Sequence, residues 1–249
     1  MGKLHWLGPN ATLFPPTEWA LDTPNGLLAA GGDLSEQRLL SAYRRGIFPW
    51  FSEGEPILWW TPSPRMVLFP EKLHIGRSLR KTLRRQTFTI TVNHCFAEVI
   101  QACAQPRTRA CAGNRTKEEG TWITHAIKEA YIRLHHNGYA HSFEIWQQQN
   151  LLGGLYGVAI GQIFFGESMF SRMANASKIA FVYAVQLLKK WRYRLIDCQV
   201  YSDHLRSLGA EEIARCTFEA IIRESINQQT SLSDWRPHDI SHFFAHREH

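Results

Sequence analysis

The spacing of hydrophobic positions changes several times along this chain, and each change marks an element. In "THAIKEAYIRLHHNG", Ile127, Ala130, Tyr131 and Leu134 fall at helical spacing and Gly138 ends the run, which predicts an amphipathic helix. After it, "HSFEIWQQQ", "LLGGLYGVAIG" and "QIFFGESMF" read as three antiparallel strands, with turns at Gln149-Asn150 and Gly161-Gln162. A long helix, "ASKIAFVYAVQLLKKW", leads into a strand, "RLIDCQV". Asp203 is expected to cap a short helix ending at Gly209, and "TFEAIIRESI" is a last helix. Upstream, residues 73–85 look helical, "TFTITV" is a strand, and Asn93 is expected to cap a helix running to about Cys103.

The first 70 or so residues are different in kind. They are rich in Pro, Gly and Trp, and read as turns around one short helix, with Ser35 as its N-cap and Gly46 as its stop. "ILWWTPSPRMVLFP" follows as strand, proline turn and strand. The expected fold class is therefore α+β: a small N-terminal α/β domain over residues 1–72 and a larger domain over residues 73–249.

Composition narrows the classes without choosing one. A chain of 249 residues with 44% apolar and 20% charged residues can bury a sizeable core. Five cysteines, an odd number with no CxxC, argue against a disulfide framework or a cysteine zinc site and fit a reducing compartment. "MGKLHWLGPN" carries no apolar signal core, and "LLGGLYGVAIG" is too short to cross a bilayer, so a soluble, cytoplasmic protein is expected. The net charge of +6 is compatible with nucleic acid, but clustering says more than the total.

The charge does cluster. Arg77, Arg80, Lys81, Arg84 and Arg85 fall on one side of a helix with no acid between them. A solvated face is the plain reading; a phosphate backbone is the ligand that would make five like charges favourable. In "FFGESMFSR", strand alternation puts Phe165, Glu167 and Met169 on one face and Phe164, Gly166, Ser168 and Phe170 on the other. That pattern suits an apolar pocket with one charged anchor, and equally a core strand whose Glu167 pairs with a buried Arg. "LIDCQV" is an interior strand interrupted by Asp197 and Gln199, which alternation places side by side. They could hold an amine and polarise a carbonyl, or satisfy turn and helix-end groups. The connection "SRMANASKIA" precedes a helix N-terminus but has no glycine for close approach to a pyrophosphate, which weakens a coenzyme A reading. His238, His242 and His246 recur every four residues, a weak zinc pattern; no nucleophile elbow or P-loop is present.

Nine ordered stretches, "PNGLLAAGGDLS", "RGIFPWF", "ILWWTPSPRMVL", "EGTWIT", "GGLYGVAIG", "FFGESMFSR", "NASK", "LIDCQV" and "DHLRSLGA", together resemble the bacterial leucyl/phenylalanyl-tRNA–protein transferases from about residue 12 to about residue 215. The resemblance implies a cytoplasmic transferase without cofactor or metal, here expected to act as a monomer. Its partners would be an aminoacyl-tRNA carrying Leu or Phe, less readily Met, and proteins beginning with Arg or Lys. The product would carry a signal for degradation. It also implies a C-terminal domain of the acetyltransferase (GNAT) type. Position by position, Asp197 and Gln199 match the catalytic pair and Glu167 the acid beside the aminoacyl pocket. Leu155, Phe165, Ser168 and Met169 would line that pocket, Trp50 and Trp122 would hold the aminoacyl-tRNA end, and the basic helix would bind tRNA. Leu155 stands where a family member has Met, a swap that conserves volume. Whether Asp197 takes a proton or only orients the acceptor stays open. Two other classes remain beside this one: an acetyl-CoA-dependent N-acetyltransferase and a non-catalytic tRNA-binding module.

Overall fold

The computed structural model describes residues 4–9, 12–85, 87–105, 107–111, 115–119, 121–228 and 234–244. The N-terminal part supplies β1 (His5–Leu7), β2 (Leu27–Gly31), α1 (Glu36–Tyr43), β3 (Phe48–Pro49) and β4 (Leu58–Trp60). Its four strands form a small sheet in the order β1-β2-β4-β3. Ser35 caps α1 as expected, accepting the Arg38 N–H at 3.4 Å, and Gly46 follows the helix with φ +71.

The rest of the chain runs β5 (Arg65–Leu68), α2 (Arg77–Arg85), β6 (Thr89–Val92), α3 (Phe96–Cys103), the hairpin β7 (Arg107–Cys111) and β8 (Arg115–Glu119), then α4 (His125–His136). It continues through β9 (Ala140–Gln147), β10 (Asn150–Ile160), β11 (Ile163–Ser171), α5 (Ala176–Lys190), β12 (Leu195–Gln199), α6 (Asp203–Arg206), β13 (Glu211–Ile213), α7 (Arg215–Ser225) and β14 (His238–Asp239). Eight of these strands make one sheet, β13-β5-β12-β11-β10-β9-β6-β14. The α+β class read from the sequence is the one observed, and the β9-β10-β11 meander is antiparallel throughout. β5 lies in this sheet, hydrogen-bonded between β12 and β13, although it precedes residue 73.

The sheet is covered on both faces. One core joins α1, α3, α4 and α7 around Phe48, Tyr43, Tyr131, Phe165 and Phe218. The other joins α2 and α5 around Leu79, Leu83, Phe164, Ile179 and Leu155. Asn93 does not cap α3. It has φ +55 and bonds His141 and the Trp235 carbonyl, while the buried Glu144 carboxylate accepts the His94 N–H at 3.2 Å. Glu144 rather than Asn93 thus supplies the acceptor for the amides at the helix entry. Among the described residues no helix is long and apolar enough to cross a membrane.

Two irregularities open the sheet at one point. β11 and β12 run parallel, joined by α5, but they pair only through Ile163↔Leu195, Phe164↔Ile196 and Phe165↔Asp197. Beyond Phe165 the strands part. In β11, Tyr156 pairs with Ser168 and Gly157 with Gly166, so Glu167 is an extra residue. In β12, Asp197 pairs with Val67 and Gln199 with Met66, so Cys198 is extra, and Gln199 has φ +64. Such bulges bend a strand and strengthen its twist. Gly157 accommodates the crowding, because a Cβ there would sit 2.3 Å from the Phe165 carbonyl oxygen.

Candidate active site

The gap between β11 and β12 is a cleft of about 770 Å³. Its apolar wall comes from Leu155, Phe164, Met169, Phe181 and Ile196, and its polar wall from Glu167, Ser168 and Gln199. Trp50 and Trp122 line it from the side of the small sheet and the start of α4. Trp50 is 45% exposed, and its carbonyl accepts the Trp60 indole N–H at 2.7 Å.

Glu167 is the hub of the polar wall. Its Oε1 accepts the Tyr43 hydroxyl at 2.8 Å and the Gln199 Nε2–H at 2.9 Å. Its Oε2 accepts the Tyr131 hydroxyl at 2.9 Å. The two tyrosine hydroxyls also bond each other. Burial pushes the Glu167 carboxyl up to about 7; the tyrosine hydrogen bonds act against that rise, and the Asp197 charge adds to it. Tyr43 and Tyr131 are driven well above the usual phenol range by burial and the adjacent carboxyl.

Asp197 lies deeper. It is fully buried, and Arg65 grips it with Nε at 2.8 Å and Nη2 at 2.6 Å. The guanidinium sits between the rings of Phe48 and Phe218, 4.7 and 4.6 Å from their centroids. Asp197 Oδ1 also accepts the Gln199 backbone N–H at 2.9 Å. The carboxylate thereby fixes the backbone whose side chain reaches Glu167.

Several sequence expectations change here. Alternation does not hold across either bulge, because one extra residue reverses the facing of everything beyond it. Asp197 and Gln199 are therefore linked through a backbone hydrogen bond rather than by sharing a strand face. Phe165 and Met169 fall in opposite cores. Phe165 is fully buried against the Tyr43 ring, 5.0 Å between centroids, and does not line the cleft; Phe164 and Phe181 stand there instead. Leu155, Ser168, Met169, Trp50, Trp122, Glu167, Asp197 and Gln199 do line it. The buried Arg considered for Glu167 exists, but it is bound to Asp197.

Sequence reasoning missed three site residues. Tyr131 sits in the apolar stripe of α4, where a buried phenol always needs a partner for its hydroxyl. Arg65 opens an otherwise apolar, fully buried strand, which signals a buried acid elsewhere. Tyr43 carries the same signal as Tyr131, at the end of α1.

The five basic residues of α2 are all exposed, while Leu79 and Leu83 pin the helix to the second core. Among the described residues none of the five is in an ion pair. His238 pairs in β14, whereas His246 lies outside the described residues; no group of three potential metal ligands stands together among those described.

Comparison with known proteins agrees along the length of the chain. The family model described as "Leucyl/phenylalanyl-tRNA protein transferase" matches residues 67–223, and that of the N-terminal domain of the same family matches residues 32–63. A leucyl/phenylalanyl-tRNA–protein transferase of Cellvibrio japonicus is 58% identical over 217 residues, covering 87% of this chain and 89% of the relative. One from Pseudomonas fluorescens strain SBW25 is 55% identical, covering 90% and 96%. One from Methylococcus capsulatus is 56% identical, covering 90% and 92%. Among solved structures, a GCN5-related N-acetyltransferase from Kribbella flavida shares 11% identity at a TM-score of 0.35, covering 70% of this chain and 59% of that one.

Proposed function

The chain belongs to the leucyl/phenylalanyl-tRNA–protein transferase family, and from that membership we propose that it moves Leu or Phe, and less readily Met, from an aminoacyl-tRNA to a protein N-terminus. The acceptor is the α-amine of a protein beginning with Arg or Lys, and the product carries a degradation signal. The reaction belongs in the cytoplasm, where charged tRNA is available. A monomer suffices, since every residue that lines the cleft comes from one chain.

The observation that carries this reading is the cleft itself, apolar on one wall and holding a carboxyl of raised pKa on the other. An aminoacyl ester is already activated, so the protein has mainly to position it, exclude water and free the attacking amine of its proton. The apolar wall of Leu155, Phe164, Met169 and Phe181 receives the aminoacyl side chain. Glu167 takes a proton from the incoming ammonium. Gln199, whose Nε2 has a second hydrogen beyond the one given to Glu167, donates to the ester carbonyl as charge develops on it. Asp197 works one layer back, holding Gln199 in place. Trp50 and Trp122 offer flat surfaces to the terminal nucleotide, and Ser168 a hydroxyl beside the aminoacyl group.

Incubation with charged tRNA and a peptide beginning with Arg, read by mass spectrometry, tests the activity. Leu, Phe and Met are all expected to transfer, because an apolar pocket discriminates one methylene by only about 1–3 kcal/mol. Asp and Lys are expected not to transfer, and efficient transfer of either sinks the pocket assignment.

The exposed α2 face supports a tRNA contact. Replacing Arg77, Arg80 and Arg84 by Ala is expected to weaken tRNA binding and flatten its salt dependence. For every phosphate that the variant no longer neutralises, the log–log slope falls by roughly 0.7 to 0.9. A slope unchanged in the triple variant makes this helix a solvated face and nothing more.

A further inference from the structure

Three oxygen–oxygen contacts close a ring at Glu167: Tyr43 hydroxyl to Oε1 at 2.8 Å, Tyr131 hydroxyl to Oε2 at 2.9 Å, and the two hydroxyls to each other. Each contact needs one hydrogen. The two phenols bring two. With Glu167 ionised, one edge of the ring has two oxygens and no hydrogen between them. With Glu167 protonated, all three edges are filled in one cyclic direction. The ring therefore has a place for a third hydrogen, and the cleft is where one can enter.

We propose that Tyr43 and Tyr131 are positioning residues that complete a proton-accepting ring with Glu167, and that the hydrogen which fills it is taken from the ammonium of the incoming protein N-terminus. The inference rests on the transferase reading above and extends it to two residues that touch neither substrate. The N–H bond of the ammonium breaks with its electron pair staying on nitrogen, and an O–H bond forms on Glu167. The neutral amine attacks the ester carbonyl carbon, the C–N bond forms and the bond to the ribose oxygen breaks. The second proton lost by nitrogen ends on that ribose oxygen, and the ring returns its own proton to solvent through the cleft.

The other groups facing Glu167 do not compete. Asp197 from β12 is locked to Arg65 from β5. Burial keeps the Cys198 thiol and the Tyr156 phenol of β10 neutral, and Gln199 carries no charge. Glu167 is thus the group that exchanges a proton near neutrality.

The hydroxyls of Tyr43 and Tyr131 favour the ionised carboxylate. Removing either one moves the Glu167 titration further up. The sign for stability follows: a carboxyl whose folded value lies at about 7, above its ordinary 4.5, favours the folded state most below 4.5, and that contribution is lost as pH rises through the window to 7. Tyr43→Phe and Tyr131→Phe are therefore each expected to push two observables to higher pH. One is the rising limb of the transfer rate against pH, measured with Phe-tRNA and an Arg-initiated peptide. The other is the upper end of the window over which urea stability declines, measured without RNA. The peptide amine titrates near pH ~8 in every variant and cancels in the comparison. On the acidic side, each unit of displacement lowers the rate about tenfold.

Glu167→Gln guards against a tyrosine variant that does not fold, since it should remove the Glu167 share of the decline in stability between 4.5 and 7 and leave only that of the buried Glu144, whose carboxyl burial also pushes up. A wild-type protein that transfers Phe, with limb and stability window unmoved in the tyrosine variants, overturns the ring. So does a decline as steep in Glu167→Gln as in the wild-type protein. A wild-type protein that transfers nothing overturns the transferase reading instead, whatever the stability measurements give.

Discussion

Asp197→Asn is expected to lower stability by about 3–5 kcal/mol, a large share of the roughly 5–15 kcal/mol that holds a typical domain together. The substitution keeps the shape of the side chain and removes its charge. Arg65 is then left as a buried guanidinium between Phe48 and Phe218 with no counter-ion. That penalty is the desolvation of a charge, so it should not be rescued by any change at the surface. Replacing both partners together, Arg65→Met with Asp197→Leu, is expected to cost less stability than either charge removed alone, because an apolar pair needs no desolvation. Denaturant unfolding of the two singles and the double checks this, and additivity of the two singles excludes the coupling. Transfer is expected to stay low in the double variant, however stable it is, because the Gln199 N–H has lost its acceptor.

Glu167→Gln is expected to lower turnover by about 10²- to 10⁴-fold, the range for a lost proton acceptor. The effect on folding should go the other way from Asp197→Asn. Above pH 7 the wild-type protein must keep an ionised carboxyl in a largely buried position, and the amide relieves that cost. Stability at pH ~8 should therefore be no lower than wild type while transfer collapses. Initial rates and urea midpoints on the same preparation separate the two effects. Turnover within a few-fold of wild type would remove Glu167 from the chemistry and return the proton to water or to a ribose hydroxyl. Gln199→Ala should act through the same unit, so its loss and that of Glu167 should combine to less than the sum.

Much of the fold was legible because it is written in short-range patterns. The stripe Ile127, Ala130, Tyr131, Leu134 marked α4, and Ser35 with Gly46 bounded α1. The antiparallel meander followed from three apolar runs separated by two turns. An acid and an amide in an apolar strand, and an acid between Phe and Met, marked the strands that border the cleft. These features depend on neighbours within a few residues, where backbone geometry alone fixes the period.

What the tertiary structure decided was the facing of each side chain and the partner of each charge. A bulge adds a residue without altering composition or local hydrophobicity, so nothing in "FFGESMF" or "LIDCQV" announces that Glu167 and Cys198 are the extra ones. The first sets Phe165 and Met169 on opposite sides of the sheet, and the second unlinks Asp197 from Gln199 by face. Arg65 lies 132 positions from Asp197, and Tyr43 lies 124 from Glu167. Which acid receives the guanidinium and which receives the phenols is set when sheet and helices close and each buried polar group must find a partner. The sequence by itself determined which residue types would stand at this site; that Asp197 receives the guanidinium and Glu167 the two phenols came from packing, because a buried charge is tolerated only where the chain brings its counter-ion within reach.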